Sequence, residues 1–233
     1  MKTKILVTGG DGRFSKVLKK ENKKLNLIFC NKKKFNILSE SSINKEIKKI
    51  KPKIILHCAG LSRPMSIHEK KISKSIDLNI IGTANLVKAC KKNNIKIIYF
   101  STGYVYEGKK GNYSENDPVK PFNNYAISKL GGECSVSMYH NSLILRITMT
   151  EKPFVHNKAY TNLKSNFMFH EDLVEMLPKL INKKGIINVG GKSQSIYNFA
   201  KKFNSKVKKI FARKDKKLPL NQTMNIKKLR SII

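Results

Sequence analysis

Short apolar runs alternate with longer mixed segments along the first 147 residues of the chain. The runs at 4–7, 25–30, 53–57, 95–101 and 143–146 predict strands, and the segments at 15–22, 42–49, 72–93 and 123–139 predict helices. Strands separated by helices need right-handed crossover connections, which give a parallel sheet covered by helices on both faces. The expected fold is therefore α/β, a Rossmann-type doubly wound parallel sheet.

The pattern changes after Arg146. Residues 149–169 look irregular, and a helix at 171–181, a short strand at 185–189 and a final helix near 195–203 follow. The tail at 206–233 is basic, with a loop around Pro219. We therefore expect a Rossmann domain at residues 1–147 and a small C-terminal substrate lobe at residues 148–233, which is not an independent domain.

Length and hydrophobic content are those of a globular protein, with 233 residues of which 40% are hydrophobic. No apolar run approaches the about 20 residues that cross a bilayer, and the first one stops at Gly9, too short for a secretory signal. The four cysteines are far apart and lack metal-ligand spacing, so we expect buried thiols and no metal site. The expectation is a soluble, cytoplasmic protein without membrane contact.

The formal net charge of +33 raises the question of a nucleic-acid partner. Only five of the 48 basic residues are Arg, and residues 101–200 hold little of the excess. A nucleic-acid groove more often concentrates Arg with interleaved aromatic residues. We interpret the Lys excess as solvated helix faces and expect no specific nucleic-acid partner, with weak polyanion binding at low salt.

A Gly-rich turn at residues 8–15 directly follows the first predicted strand. Gly9 and Gly12 have the spacing of the first two glycines of a dinucleotide fingerprint, where one allows a tight turn and the other a close approach of the pyrophosphate. Arg13 and Phe14 follow at the predicted helix N-terminus, whose free amides favour an anion. Such turns also merely connect strands to helices, but this position in an α/β pattern favours cofactor binding.

The end of the second predicted strand bears on cofactor choice. NAD-specific sites often place a carboxylate there for the ribose 2′-hydroxyl, whereas this chain has Asn31 and Lys32 followed by two more lysines. Bases without carboxylates favour a 2′-phosphate and hence NADP, with NAD as the alternative.

The third predicted strand ends in His57 and three small residues, Cys58, Ala59 and Gly60. Small side chains at this point let a cofactor lie against the strand end. His57 has no carboxylate beside it in sequence to orient its ring, so we interpret it as a packed strand residue and not as a catalytic base.

Tyr125 and Lys129 are the main catalytic candidates. Their i,i+4 spacing places both side chains on one face of a helix. Reduction of a carbonyl by hydride needs a proton donor, and a nearby ammonium should lower the Tyr pKa from about 10 toward neutrality. A hydroxyl of Ser101 or Thr102, at the end of the fourth strand, is suited to polarise the carbonyl. The alternative is that Tyr125 only packs in the core while Lys129 is solvated. The Gly-rich turn and the Ser-Thr strand end favour the interpretation as a catalytic pair.

These motifs resemble the extended short-chain dehydrogenase/reductases, and most of all the dTDP-4-dehydrorhamnose reductase group. The similar segments are 101–108, with a Ser-Thr strand end, 113–118, Pro121 with 125–133, and 77–79 with 82–83. The similarity covers residues 3–147 and becomes looser beyond them.

The resemblance implies roles for individual residues. Thr102, Tyr125 and Lys129 would be the catalytic set, Asn36 and Ile37 would lie against adenine, and Asn79 and Ser101 would belong to the cofactor site. Asn36 replaces the family's usual Asp, and Gly103 replaces an acidic residue next to Tyr104.

A second resemblance, at 61–64 and 150–154, is to the 4-keto-reductase half of bifunctional UDP-rhamnose-forming enzymes. The two resemblances imply UDP or dTDP as the nucleotide and leave both open. The candidate substrate contacts are Arg63, Thr102, Gly103, Tyr104 and Lys164.

Three hypotheses follow. The first is an NADP-dependent reductase acting on the 4-keto group of a nucleotide-linked 6-deoxy sugar. The second is a nucleotide-sugar epimerase or dehydratase of the same superfamily, although Gly103 and Tyr104 offer no acidic pair for dehydration. The third is a nonenzymatic NADP-binding sensor. The sugar, the product stereochemistry and the oligomeric state stay open, with a homodimer as one option.

Overall fold

The computed structural model describes residues 3–213 and 218–233. Its strands are β1 (Lys4–Thr8), β2 (Asn26–Cys30), β3 (Ile54–His57), β4 (Lys96–Thr102), β5 (Ser142–Ile147), β6 (Met149–Thr150), β7 (Lys158–Tyr160), β8 (Lys164–Ser165), β9 (Met168–Phe169), β10 (Gly185–Val189), β11 (Gln194–Ser195) and β12 (Lys208–Ile210). Its α-helices are α1 (Arg13–Glu21), α2 (Glu40–Ile50), α3 (Ile67–Lys70), α4 (Ile72–Ser75), α5 (Gly82–Lys92), α6 (Asn124–Ser137), α7 (His170–Leu180), α8 (Ile196–Lys201) and α9 (Lys227–Arg230).

The central sheet is parallel throughout, in the order β10-β5-β4-β3-β1-β2. From β1 the chain moves outward on one side to β2 and then returns to the other side for β3. The loops after β1 and β3 therefore diverge and leave a crevice at their carboxyl ends, the usual ligand position in such sheets. The predicted Rossmann-type doubly wound sheet is confirmed.

Successive strand residues point to opposite faces, so each buried strand feeds two cores. One core joins strand residues such as Val7 and Ile98 to α1 and α7, and the other joins Leu6 and Ile97 to α2, α5 and α6. Because helices cover both faces of the sheet, the side chains on both sides of each inner strand are largely buried. This explains why these strands are continuous apolar runs in the sequence.

The predicted elements of the first 147 residues all form, with boundaries shifted by a few residues. The long helix predicted at 72–93 contains a π-helical turn, Ile76–Ile81, between α4 and α5. The short helix α3 was not predicted, since only four residues form it. The expectation of buried thiols fails for Cys134, which is exposed on α6.

The C-terminal part differs more from expectation. Residues 149–169, expected to be irregular, contain β6 to β9. β6 pairs with β9 within this segment, whereas β7 pairs with β12 and β8 with β11, farther along the chain. β10 joins the central sheet beside β5, so the part of the chain assigned to the substrate lobe also completes the Rossmann sheet. The division at residue 147 stays a prediction.

A third, smaller core in the C-terminal part is rich in Phe and includes Phe154, Phe169 and Phe199. The basic tail predicted at 206–233 falls partly on residues 214–217, outside the described residues. Its described part contains β12 and α9, and Leu229 of α9 packs into the core that includes α1 and α7. Within residues 3–213 and 218–233, no helix combines the length and the apolar character that a bilayer crossing requires.

Candidate active site

A cavity of ≈ 1300 Å³ opens at the carboxyl ends of β1, β3 and β4, where the chain reversal leaves the crevice. Residues of β6 and β7 and the first residue of α7 also line it. The sequence-predicted residues that line it are Gly12, Arg13, Phe14, Cys58, Ala59, Gly60, Arg63, Ser101, Thr102, Tyr104, Tyr125, Lys129 and Lys164. The fold thus brings the Gly-rich turn and the Tyr-Lys pair to one cavity.

The Gly-rich turn forms the β1 side of this cavity. Gly9 has φ 65°, and a Cβ there would stand 2.7 Å from the Ala59 Cα, so only glycine lets this turn pack against the end of β3. Gly12 is the N-cap of α1, and a Cβ on it would stand 3.1 Å from the Gly9 carbonyl oxygen. Gly12 and the first residues of α1 line the cavity, so the free amides of this helix N-terminus are suited to an anion.

Some predicted cofactor residues lie away from the cavity wall. Asn31 accepts a hydrogen bond from the Lys34 amide, and Lys32 is exposed beyond β2. Asn36 accepts from the Leu38 amide, while Ile37 is buried against Gly82. Their assignment to the cofactor stays a prediction.

Asn79 and Gly103 also do not line the cavity. The Asn79 amide accepts from the Leu61 amide at 2.7 Å and donates to the Ser128 Oγ at 2.9 Å, so it ties the loop after β3 to α6. A Cβ at Gly103 would stand 2.7 Å from the Thr148 Oγ1, which explains why a larger residue does not fit there.

Helix α6 carries Tyr125 and Lys129 and is fixed at both ends of this segment. The Asn123 side chain caps it by accepting from the Ala126 amide at 2.8 Å. Farther along, a Cβ at Gly132 would stand 2.4 Å from the Asn79 carbonyl oxygen. Only glycine at position 132 therefore allows α6 to approach the π-helical turn this closely. This contact sets the distance of the Tyr-Lys face from the end of β4.

Tyr125 and Thr102 both line the cavity wall. Burial and the neighbouring Tyr104 raise the pKa of Tyr125 to about 12, although a hydrogen bond from Thr102 and the charge of Arg63 oppose the rise. The phenol is therefore protonated at neutral pH and able to donate.

Lys129 points elsewhere. Its ammonium lies 4.1 Å from the centre of the Tyr99 ring, a cation–π contact, and burial lowers its pKa to about 7. The expectation that Lys129 lowers the pKa of Tyr125 is therefore wrong for this conformation. Helical spacing fixed the face of the helix but not the direction of a four-carbon side chain.

His57 is a packed strand residue, as predicted. Its ring nitrogens lie 2.9 Å from the Thr8 Oγ1 and 3.1 Å from the Thr83 Oγ1, and burial lowers its pKa to about 3. It lines the cavity as a neutral ring.

Sequence reasoning missed a buried ion network behind the site. Arg146 of β5 donates to the Glu133 carboxylate from Nη2 at 2.6 Å and Nε at 3.1 Å, and Glu133 also accepts from Ser101 at 2.5 Å. The network joins α6 to the end of β4, beside Thr102. Glu133 belonged to a family-like segment, but no local signal identified its partner.

His68 and Glu151 were also missed. His68 of α3 is fully buried, with its ring centre 5.0 Å from that of Tyr125 and its Nδ1 2.8 Å from the Ser75 Oγ. Glu151 binds both Arg13 and Arg63 across the cavity mouth. Both contacts join segments that are distant in sequence, so spacing carried no signal for them.

The fold and this cavity define a Rossmann-type α/β protein with its site at the carboxyl edge of the parallel sheet. The chain belongs to the family described as the RmlD substrate binding domain, whose profile matches residues 3–167.

Curated relatives match part of the chain. Methionine adenosyltransferase 2 subunit beta of Danio rerio is 33% identical over 139 residues, which are 56% of this chain and 42% of that protein. dTDP-4-dehydrorhamnose reductase of Aggregatibacter actinomycetemcomitans is 27% identical over 166 residues, 69% of this chain and 56% of the reductase. This chain thus spans about half the length of the curated relatives that it matches.

Solved structures agree over the whole chain. dTDP-4-dehydrorhamnose reductase of Bacillus anthracis, solved in complex with NADP, superposes with a TM-score of 0.86 at 25% identity, over 99% of this chain and 92% of that one. UDP-glucose 4-epimerase of Thermus thermophilus, solved with NAD, gives a TM-score of 0.82 at 16% identity, over 98% and 92% of the two chains, which shows the fold alone.

Proposed function

We propose that the protein is an NADPH-dependent reductase of the 4-keto group of a nucleotide-linked 6-deoxy sugar. The observation that carries the proposal is that Tyr125 and Thr102 line the same cavity as the N-terminus of α1. A proton donor and an anion site in one cleft are what such a reduction needs.

The residues present fit a dinucleotide. The amides after Gly12 are suited to its diphosphate, and the small residues Cys58, Ala59 and Gly60 leave room along the end of β3. Lys32 and its exposed lysine neighbours after β2 favour a 2′-phosphate. The NADP found in the Bacillus anthracis structure supports this choice.

NADPH, when bound, supplies a hydride to the carbonyl carbon. Tyr125 gives its phenolic proton to the carbonyl oxygen, which gains negative charge as the carbon is reduced. Thr102 donates a hydrogen bond to the same oxygen and holds it in place. Rotation about the side-chain bonds of Lys129, away from Tyr99, brings its ammonium to the phenolate and stabilises it.

The test is NADPH oxidation followed by absorbance, with a dTDP- or UDP-linked 4-keto-6-deoxyhexose. Tyr125→Phe should retain cofactor affinity and lose turnover by about 10²- to 10⁴-fold, the usual contribution of a positioned proton donor. Tyr197→Phe is the matched control, because Tyr197 packs beside the small Phe-rich core and outside the cavity. Unchanged turnover in Tyr125→Phe would remove Tyr125 from the mechanism.

The alternatives predict different results. A purified protein that retains NAD without net oxidation favours the epimerase. NADPH binding without turnover on either nucleotide sugar favours a nonenzymatic NADP-binding role.

A further inference from the structure

The Glu151 carboxylate bridges two arginines that belong to different loops of the cavity mouth. Its Oε1 lies 3.2 Å from the Arg13 Nη1 and its Oε2 lies 2.8 Å from the Arg63 Nη1. Arg13 also donates from Nη2 to the Ser62 Oγ at 3.1 Å. The bridge thus connects the start of α1, the loop after β3 and the segment after β6.

The bridge is partly shielded from water. The Glu151 side chain is 21% exposed, against 46% for Arg13 and 36% for Arg63. Burial raises the pKa of Glu151, but Arg63 and Arg13 outweigh it, so the pKa lies below its usual value and the group is a carboxylate at neutral pH. The charge of His170 also lowers the pKa of Glu151.

We propose that Glu151 is an internal competitor, whose carboxylate occupies the position where a ligand phosphate is bound by Arg13 and Arg63. This inference rests on the proposed function, since the phosphate is one of a diphosphate group in the dinucleotide or in the nucleotide sugar. Glu151 must leave the arginines before that phosphate binds.

The chemistry of the two arginines supports the exchange. Guanidinium groups bind carboxylate and phosphate oxygens with the same paired geometry, so one anion can replace the other. A phosphate near Arg13 additionally meets the free amides and the positive dipole end of α1, which Glu151 reaches only through the Arg13 side chain. The ligand therefore has contacts that the competitor lacks.

Removing the competitor should tighten phosphate binding. Glu151→Gln keeps the size of the side chain and removes its charge. Partly exposed ion pairs are individually weak, so we expect NADPH to bind about 3- to 10-fold tighter at low salt, with a smaller difference at high salt. NADH, which shares the diphosphate, should show the same ratio.

The measurement is NADPH fluorescence titration of wild type, Glu151→Gln and Glu107→Gln. Glu107 is a matched control because it also bridges two cations, Lys109 at 2.8 Å and Lys120 at 3.1 Å, and does not line the cavity. Its variant makes the same change in net charge and should leave the affinity unchanged. Thermal melting of each variant checks folding.

A second arm locates the phosphate. UDP is titrated into wild type and Glu151→Gln in the presence of saturating NADPH. If Glu151→Gln binds only NADPH more tightly, the phosphate belongs to the diphosphate of the dinucleotide. If it binds only UDP more tightly, the phosphate belongs to the diphosphate of the nucleotide sugar. In the Arg63→Gln background the gain from Glu151→Gln should shrink, because the competitor then acts through Arg13 only.

Weaker binding in Glu151→Gln would overturn the proposal, since Glu151 would then close over the ligand. Unchanged affinity for both ligands would overturn it too. Either result is separate from the proposed function, which fails instead when wild type binds no dinucleotide or never oxidises it.

Discussion

Replacing Arg146 by Met removes the centre of the buried ion network behind the site. The Arg146 and Glu133 side chains are 5% and 4% exposed, so neither charge has water to replace its partner. Beyond Glu133, the Arg146 Nη1 donates to the Tyr106 hydroxyl at 2.7 Å and to the Glu115 carbonyl oxygen at 3.1 Å. Met fills a similar volume without charge.

The magnitude follows from the charge left behind. Breaking a buried pair by removing one partner costs about 3–5 kcal/mol, because the Glu133 carboxylate stays desolvated and retains the hydrogen bond from the Ser101 hydroxyl of β4 without a compensating charge. In a chain of this size each kcal/mol shifts Tm by about 2–4 °C, so Tm should fall by roughly 6–20 °C. Because the network joins α6 to β4, turnover should fall as well.

Thermal and urea unfolding followed by far-UV circular dichroism measure the change. The double variant Arg146→Met with Glu133→Leu should regain most of the loss, since no unpaired charge remains. Lys120→Met, which opens an exposed pair with Glu107, should leave Tm unchanged. A Tm loss below about 3 °C in Arg146→Met, corresponding to about 1 kcal/mol, would refute the assignment of a tightly coupled buried pair.

Three other changes test the surroundings of the site. Gly132→Ala should lower stability by about 1–3 kcal/mol in urea unfolding, because its Cβ would meet the Asn79 carbonyl oxygen at 2.4 Å; an unchanged midpoint would contradict that packing. Burial lowers the pKa of Lys129 to about 7 from its usual 10.5, so between these pH values the unfolded chain binds more protons than the folded protein. The free energy of unfolding of wild type, relative to that of Lys129→Met, should therefore rise as the pH goes from about 7 to about 10.5. A pH-independent difference between the two proteins in Tm would refute that shift. His68→Ala removes the ring 5.0 Å from that of Tyr125, and we expect kcat to fall about 10- to 100-fold with the KM for NADPH unchanged; equal changes in both would indicate a general structural role.

Local features of the site were predictable because they depend on neighbours in sequence. The tight turn at Gly9 and the shared helical face of Tyr125 and Lys129 need only backbone geometry and the 3.6-residue period. The alternation of apolar runs with helices was equally sufficient for the parallel sheet, which the structure and the similar solved structures confirm.

Contacts between distant segments were not predictable in this way. β10 joins β5 in the central sheet although its sequence resembles any short strand, because pairing depends on which edge is open once the sheet has formed. The short strands β6 to β9 have two or three residues each, so they are defined by backbone pairing with other segments and not by a pattern of their own.

The class of fold and the placement of Tyr125 and Lys129 on one helix face follow from the sequence, since periodicity and turn chemistry act over a few residues. The direction of the charged side chains follows only from the assembled fold. Lys129 turns to the Tyr99 ring, and Glu151 stands 138 positions from Arg13 yet binds it at 3.2 Å. Side-chain direction and ion pairing depend on the burial and charge that the assembled fold creates, which no single stretch of sequence contains.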